Sequence, residues 1–128
     1  MYNSQWYQNL IKPPFSPPDS IFAPVWTILY SILFAALILY IIKPMPNKKS
    51  GYILFAVQLG LNLLWSPVFF AAQNIPLAAA IIILLDIFVL LTVLKFYSVS
   101  KPAGILIIPY FLWCLFASYL NIMYFMLN

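Results

Sequence analysis

Few residues in this chain have the means to do chemistry. In the stretch QLGLNLLWSP, Gln58, Asn62 and Ser66 recur at intervals of four. In a helix that interval stacks side chains on one face, and Trp65 flanks the same face. Trp113, Ala117 and Asn121 repeat the interval in PYFLWCLFASYLN, and Trp26 and Tyr30 repeat it in PVWTILY. Three segments therefore each offer an aromatic ring, and most add a hydrogen-bonding group. Such a set supports two roles. Amides glue apolar helices together, at roughly 0.6 kcal/mol per bond on average in a membrane. The same groups can also line a pocket in which rings stack on a flat apolar ligand. Trp65 and Trp113 lie deeper in their segments than an interfacial aromatic belt requires, which argues for the pocket.

Other chemistries lack their parts. The chain has no His and a single Cys, so neither a His-based triad nor a Cys/His metal cluster can be assembled. Three glycines form no phosphate-cradling loop. No metal or required cofactor is expected. Cys114 sits in an apolar run and reads as a packing residue. Trp can take part in photochemical or radical reactions with a bound chromophore, the one catalytic route these residues leave open.

The elements that carry these groups follow from composition. The sequence is 66% hydrophobic and 6% charged, against roughly 25% charged in soluble domains. A soluble chain this apolar could not cover its surface. The expected fold is an all-α integral membrane protein, a single membrane domain over 1–128. A bilayer core takes about 20 apolar residues per helix, and four segments qualify, at about 21–42, 52–72, 77–96 and 103–127. The apolar runs are continuous rather than alternating, which excludes membrane β-strands. Pro67 and Pro109 break the hydrogen-bond ladder of spans two and four and can open space between helices.

The net charge is +4, carried by lysines scattered over short connections. That scatter forms no patch for nucleic acid, but it orients the chain. Lys43, Lys48, Lys49, Lys95 and Lys101 fall at the ends of spans one and three, and only Lys12 lies on the other side. The positive-inside rule then places connections 43–51 and 97–102 in the cytoplasm and both termini outside. The outer side includes a segment over 1–20, with Pro13, Pro14, Pro17 and Pro18 in a KPPFSPP run. Proline fixes φ and stiffens this stretch, and Trp6 and Tyr7 suit the headgroup layer. Asp86 lies near the middle of span three with no cation inside any span to pair with it. It reads as a structural hydrogen-bonding group or, alternatively, as a proton-relay carboxylate.

WYQNLIKPPFSPPDSIFAPVWTILY, QLGLNLLWSPVFF and PYFLWCLFASYLN together resemble the TspO/MBR family, the tryptophan-rich sensory proteins whose mammalian branch is the translocator protein. The resemblance runs from Trp6 to Asn121 with the motifs in order. It implies a membrane helix bundle that binds porphyrins or haem and commonly forms homodimers. In some members it extends to cholesterol and benzodiazepine-type drugs, and in some bacterial members to light- and oxygen-dependent porphyrin degradation. A bacterial plasma membrane is the expected location, and regulation of tetrapyrrole metabolism or transport the expected role. By position, the resemblance assigns Trp26 to the pocket through the PVW motif, and Gln58, Asn62 and Trp65 through QLxLNxxWS. PYxxW adds Tyr110 and Trp113, and FASYLN adds Ala117, Leu120 and Asn121. Trp26 and Trp113 would drive any photochemistry. The proline segment would be a lid, and Asp86 matches an acidic position of the family. The resemblance also implies a fifth helix ahead of the WY motif, where this chain has almost no residues. The cholesterol pattern is incomplete, because no cation follows Leu120 and Tyr124.

Overall fold

A computed structural model of the chain describes residues 4–14 and 16–128, without the Asp19 side chain. Residues 1–3 and 15 of the 1–20 segment lie outside that description. A short helix α1 (Gln5–Gln8) is followed by a proline stretch and a 3-10 turn at Asp19–Ile21. Four long helices follow: α2 (Phe22–Ile42), α3 (Lys49–Ser66), α4 (Ile75–Val99) and α5 (Lys101–Leu127). All four are long and apolar enough to cross a membrane, α3 together with its continuation to Ala71.

Three of the long helices begin where the sequence supplies a start signal. Pro24 sits in the first turn of α2, Pro76 in that of α4 and Pro102 in that of α5. In a first turn the N–H that proline lacks has no helical partner to lose. Asn74 caps α4 by accepting from the Leu77 N–H at 3.1 Å. Gln73 before it adopts φ 54°, as does Asn47 (φ 59°) in the turn before α3. α3, α4 and α5 each begin two or three residues earlier than the apolar runs suggest, and in α4 the Asn74 cap sets that start. Lys49 and Lys101 are the first residues of their helices, ahead of the first apolar residues of those runs.

The four helices run alternately up and down in the order α2, α5, α4, α3. The α4–α5 interface is the most extensive, with α3 on the far side of α4 and α2 on the far side of α5. Small residues allow that closeness. Gly104 lies directly against the Tyr97 backbone, where a Cβ would collide. The core runs along this seam through Ile82, Leu85, Val89, Phe96, Ala103, Ile107 and Cys114. Outward positions such as Ile42 (68% exposed) and Met126 (70%) carry large apolar groups, as a lipid-facing surface requires.

No comparable packing joins α2 to α3. They meet through long side chains instead. Tyr40 stacks edge-on against Tyr52 and Phe34 packs on Phe55 near the lysine-bearing end, and Tyr30 reaches Asn62 further along. The arc is therefore open between its first and last helices at the proline-segment end.

Candidate functional site

That opening is a cleft of about 600 Å³. Its walls are Ala23, Trp26 and Tyr30 from α2, Asn62, Leu63, Trp65 and Ser66 from α3, Pro67, and Ile82 and Leu85 from α4. Leu63 is 60% exposed and Ala23 is exposed as well, so the cleft opens sideways, where lipid would lie. A second, much smaller void of about 20 Å³ lies beside α1. It is lined by Tyr7, Phe22, Phe69, Phe70, Trp113, Ala117, Leu120, Asn121 and Tyr124, and it shares Trp26 and Trp65 with the cleft. The two tryptophans are thus the partition between the two spaces.

Local sequence explains how this wall is shaped. Pro67 has no N–H to give the preceding turn, so α3 passes into a wider π-turn over Pro67–Ala71, closed by Ala72 N–H to Pro67 C=O at 2.9 Å. The turn carries Phe69 inward, where its ring lies 5.2 Å from Trp65 and 5.6 Å from Trp6. Pro109, by contrast, sits inside an unbroken α5.

A polar chain crosses the bundle beside the cleft. The Tyr30 hydroxyl donates to Asn62 Oδ1. Asn62 Nδ2 donates to the Tyr110 hydroxyl at 2.8 Å, and that hydroxyl donates to Gln58 Oε1 at 2.7 Å. Trp65 Nε1 donates to Asn121 Oδ1 at 2.7 Å, and Asn121 Nδ2 reaches the Ile75 carbonyl at 3.2 Å. Two buried donors here find no acceptor among the described residues, Gln58 Nε2 and Trp113 Nε1. Aromatic contacts close the set: Trp26 stacks on Tyr30 at 5.6 Å and meets Trp113 edge-on at 6.3 Å.

The residues singled out by spacing and by the family resemblance thus divide. Trp26, Tyr30, Asn62 and Trp65 line the cleft, while Trp113, Ala117, Leu120 and Asn121 line the small void. Gln58 and Tyr110 line neither space and stand behind Asn62 in the polar chain. Spacing did not single out Phe22, Phe69 or Tyr124. The adjacent phenylalanines after Pro67 were the available signal.

The proline segment sits on this end of the bundle. Ile11 pairs with Asn128 in both directions, at 3.0 and 3.2 Å, and Tyr119 donates to the Pro14 carbonyl at 2.7 Å. Tyr7 is 3% exposed and bonds Tyr124 at 3.0 Å, with Lys12 over its ring at 4.6 Å. Its ring faces the bundle, not the headgroup layer expected of it, because Phe69, Phe70 and Tyr124 offer an aromatic socket. Pro13 is buried, Pro17 half-buried, and Pro14 and Pro18 exposed. Neither these prolines nor Trp6 lines the void. Among the described residues of the 1–20 segment, Tyr7 lines it.

Asp86 lines neither space. It accepts from the Ser118 hydroxyl across the α4–α5 seam, and its other carboxyl oxygen is buried without a partner among the described residues. Ser118 also donates to the Cys114 carbonyl at 2.9 Å. Among the described residues there is no group of His, Cys, Asp or Glu able to hold a metal ion.

Four apolar helices around a side-opening aromatic cleft define a helical integral membrane protein with an intramembrane cavity. The chain belongs to the TspO/MBR family, whose profile matches residues 1–127. It is 47% identical to the tryptophan-rich protein TspO of Chlorobaculum tepidum, over 98% of this chain and 80% of that protein. It is 45% identical to the tryptophan-rich protein TspO of Archaeoglobus fulgidus, over 96% of this chain and 80% of that protein. The translocator protein of Ovis aries is 36% identical over 91% of this chain and 71% of its own length.

Proposed function

We propose that this protein binds a porphyrin or haem in the cleft between α2 and α3 and acts as a membrane receptor that regulates tetrapyrrole metabolism or transport. The observation that carries this reading is the cleft itself. Its volume of about 600 Å³ falls within the roughly 300–1,000 Å³ of small-molecule sites. Trp26, Tyr30 and Trp65 supply ring faces for a planar macrocycle, and Asn62 supplies a polar edge. The sideways opening suits a ligand that partitions into lipid.

The reading has further parts. The lysine-bearing ends of α2 and α4, with the first residues of α3 and α5, face the cytoplasm of a bacterial plasma membrane, by the positive-inside rule. The working unit is a homodimer, as the family resemblance implies, and crosslinking in native membranes tests that.

The direct test is titration of the purified protein with protoporphyrin in the dark, following Trp fluorescence and the porphyrin absorption band. Saturable quenching that Trp26→Leu weakens supports the site. Linear, unsaturable quenching that is indifferent to the substitution refutes it.

A second reading rests on the Trp26–Trp113 contact at 6.3 Å. Paired indoles beside a chromophore are suited to light-driven electron exchange, and oxygen would serve as oxidant in a porphyrin-degrading reaction. Illumination of the complex in air then consumes the absorption band. Trp113→Phe slows that loss while leaving dark binding in place. A band that survives illumination assigns the protein to binding alone.

A further inference from the structure

The polar chain behind the cleft has a direction, and it is built to reverse. Tyr30 donates to Asn62, Asn62 to Tyr110 and Tyr110 to Gln58. In this sense Gln58 Nε2, on a residue that is 0% exposed, is left without an acceptor among the described residues. A buried donor without a partner is a costly arrangement. Each member can turn round in place. A hydroxyl both donates and accepts, and the two ends of a side-chain amide occupy nearly the same volume.

Run the other way, Gln58 Nε2 donates to Tyr110, Tyr110 to Asn62 Oδ1, and Asn62 Nδ2 to Tyr30. The Tyr30 O–H is then released from Asn62 and needs an acceptor. Tyr30 and Asn62 both line the cleft, so an acceptor on a bound ligand completes a chain of four bonds in place of three.

We infer that Gln58, Asn62, Tyr110 and Tyr30 form a reversible hydrogen-bond relay. It lets the cleft take a planar ligand bearing a carbonyl or carboxylate oxygen at Tyr30, with the buried Gln58 as the positioning residue that sets the polarity. This deepens the cleft reading and rests on it. The ordinary direction leaves Tyr30 an acceptor towards the cleft, for ligands with an N–H or O–H. The reversed direction makes it a donor. Gln58 touches no ligand, yet it decides the balance, because it ends the chain and can either accept from Tyr110 or donate to it.

The test uses two flat tricyclic probes of similar size, 9-fluorenone, which only accepts, and carbazole, which only donates. Equilibrium dialysis of the full chain in detergent, against a detergent-only control, gives both affinities. In Gln58→Met the Tyr110 hydroxyl keeps Asn62 Oδ1 as its remaining amide oxygen to donate to, which favours the reversed direction. Fluorenone should bind tighter and carbazole weaker, moving their affinity ratio about fivefold to tenfold, the scale of one neutral hydrogen bond. Gln58→Leu should move it the same way. In a Tyr110→Phe background the shift should vanish, because the relay is cut between Asn62 and Gln58.

An unmoved ratio in folded Gln58→Met and Gln58→Leu overturns the relay. So does a shift that persists without the Tyr110 hydroxyl, or the failure of both probes to bind the unaltered chain. Protoporphyrin is titrated alongside. Probe ratios that shift without porphyrin binding remove the tetrapyrrole reading and leave the relay. Porphyrin binding with unmoved ratios does the reverse.

Discussion

Trp65 is held by Asn121: its indole N–H donates to Asn121 Oδ1 at 2.7 Å, while the Asn121 amide reaches the Ile75 carbonyl at 3.2 Å. One side chain of α5 thus fixes a ring of α3 and the start of α4. Trp65 lines both the cleft and the small void beyond it. The Asn121 bond therefore sets the position of the wall between them. Asn121→Leu should cost about 1–2 kcal/mol, near the upper end for membrane hydrogen bonds, since two bonds go and a buried indole N–H is orphaned. Unfolding in mixed micelles measures this. The variant should also weaken protoporphyrin binding, because a loosened ring no longer presents a fixed face.

The three glycines should respond to alanine in three ways. A Cβ at Gly104 would collide with the Tyr97 backbone, which cannot yield, so Gly104→Ala should part the α4–α5 seam and destabilise by about 2 kcal/mol or more. At Gly51 the obstacle is the buried Tyr40 ring and hydroxyl, the latter bonded to the Lys48 carbonyl at 2.8 Å. Gly51→Ala should therefore cost less than Gly104→Ala but remain destabilising. A Cβ at Gly60 meets nothing within 4 Å, and its replacement should stabilise α3 by up to about 1 kcal/mol through helix propensity. The same unfolding series ranks all three.

Contacts between the proline segment and the end of α5 should matter little to exchange through the sideways-opening cleft, since no described residue of that segment lines it. Asn128 holds Ile11 by two bonds, and Tyr119 holds Pro14 by one. Asn128→Ala together with Tyr119→Phe should leave the protoporphyrin dissociation rate within about twofold of the unaltered chain in stopped-flow measurements, and a severalfold rise would move the ligand beneath the proline segment. The midpoint of unfolding should barely move, since surface bonds of this kind contribute little.

Asp86 bears on a transport role. Its bond from Ser118 survives in Asp86→Asn, because the amide oxygen still accepts. Fold and porphyrin affinity should stay within about twofold of the unaltered chain, as both cavities are lined by other residues. Porphyrin flux into liposomes under a pH gradient is the discriminating readout. Flux that Asp86→Asn abolishes would make this carboxyl a proton carrier, and flux that persists confines it to the α4–α5 seam.

Much of this arrangement was legible in the sequence, and the gaps have physical causes. Four spans followed from apolar run length alone, because a bilayer leaves the backbone no alternative to helix. Their ends differed by a few residues where a cap decides, as when Asn74 draws Ile75 into α4. Spacing by four put Gln58 and Asn62 on one face of α3, but a face does not name its partner. Gln58 is met by Tyr110, whereas Asn62 meets both Tyr110 and Tyr30. The gap between α2 and α3 had no signature in either helix. It arises because both pack on α5 or α4 rather than on each other. The inward turn of Phe69 depended on a π-turn that Pro67 announces only as a break.

The central claim is that a tetrapyrrole occupies the α2–α3 cleft. Ala23 stands at its rim, and Ala23→Trp would fill part of that opening while adding an apolar ring to a lipid-facing surface. Leu112→Trp, at a position 57% exposed on α5 and outside both cavities, serves as the control. The decisive measurement is the protoporphyrin dissociation constant of the two variants beside the unaltered protein. The account predicts at least a roughly tenfold loss for Ala23→Trp, about 1.4 kcal/mol, and no change for Leu112→Trp. Equal affinity in all three proteins would contradict it and place the ligand elsewhere on the bundle.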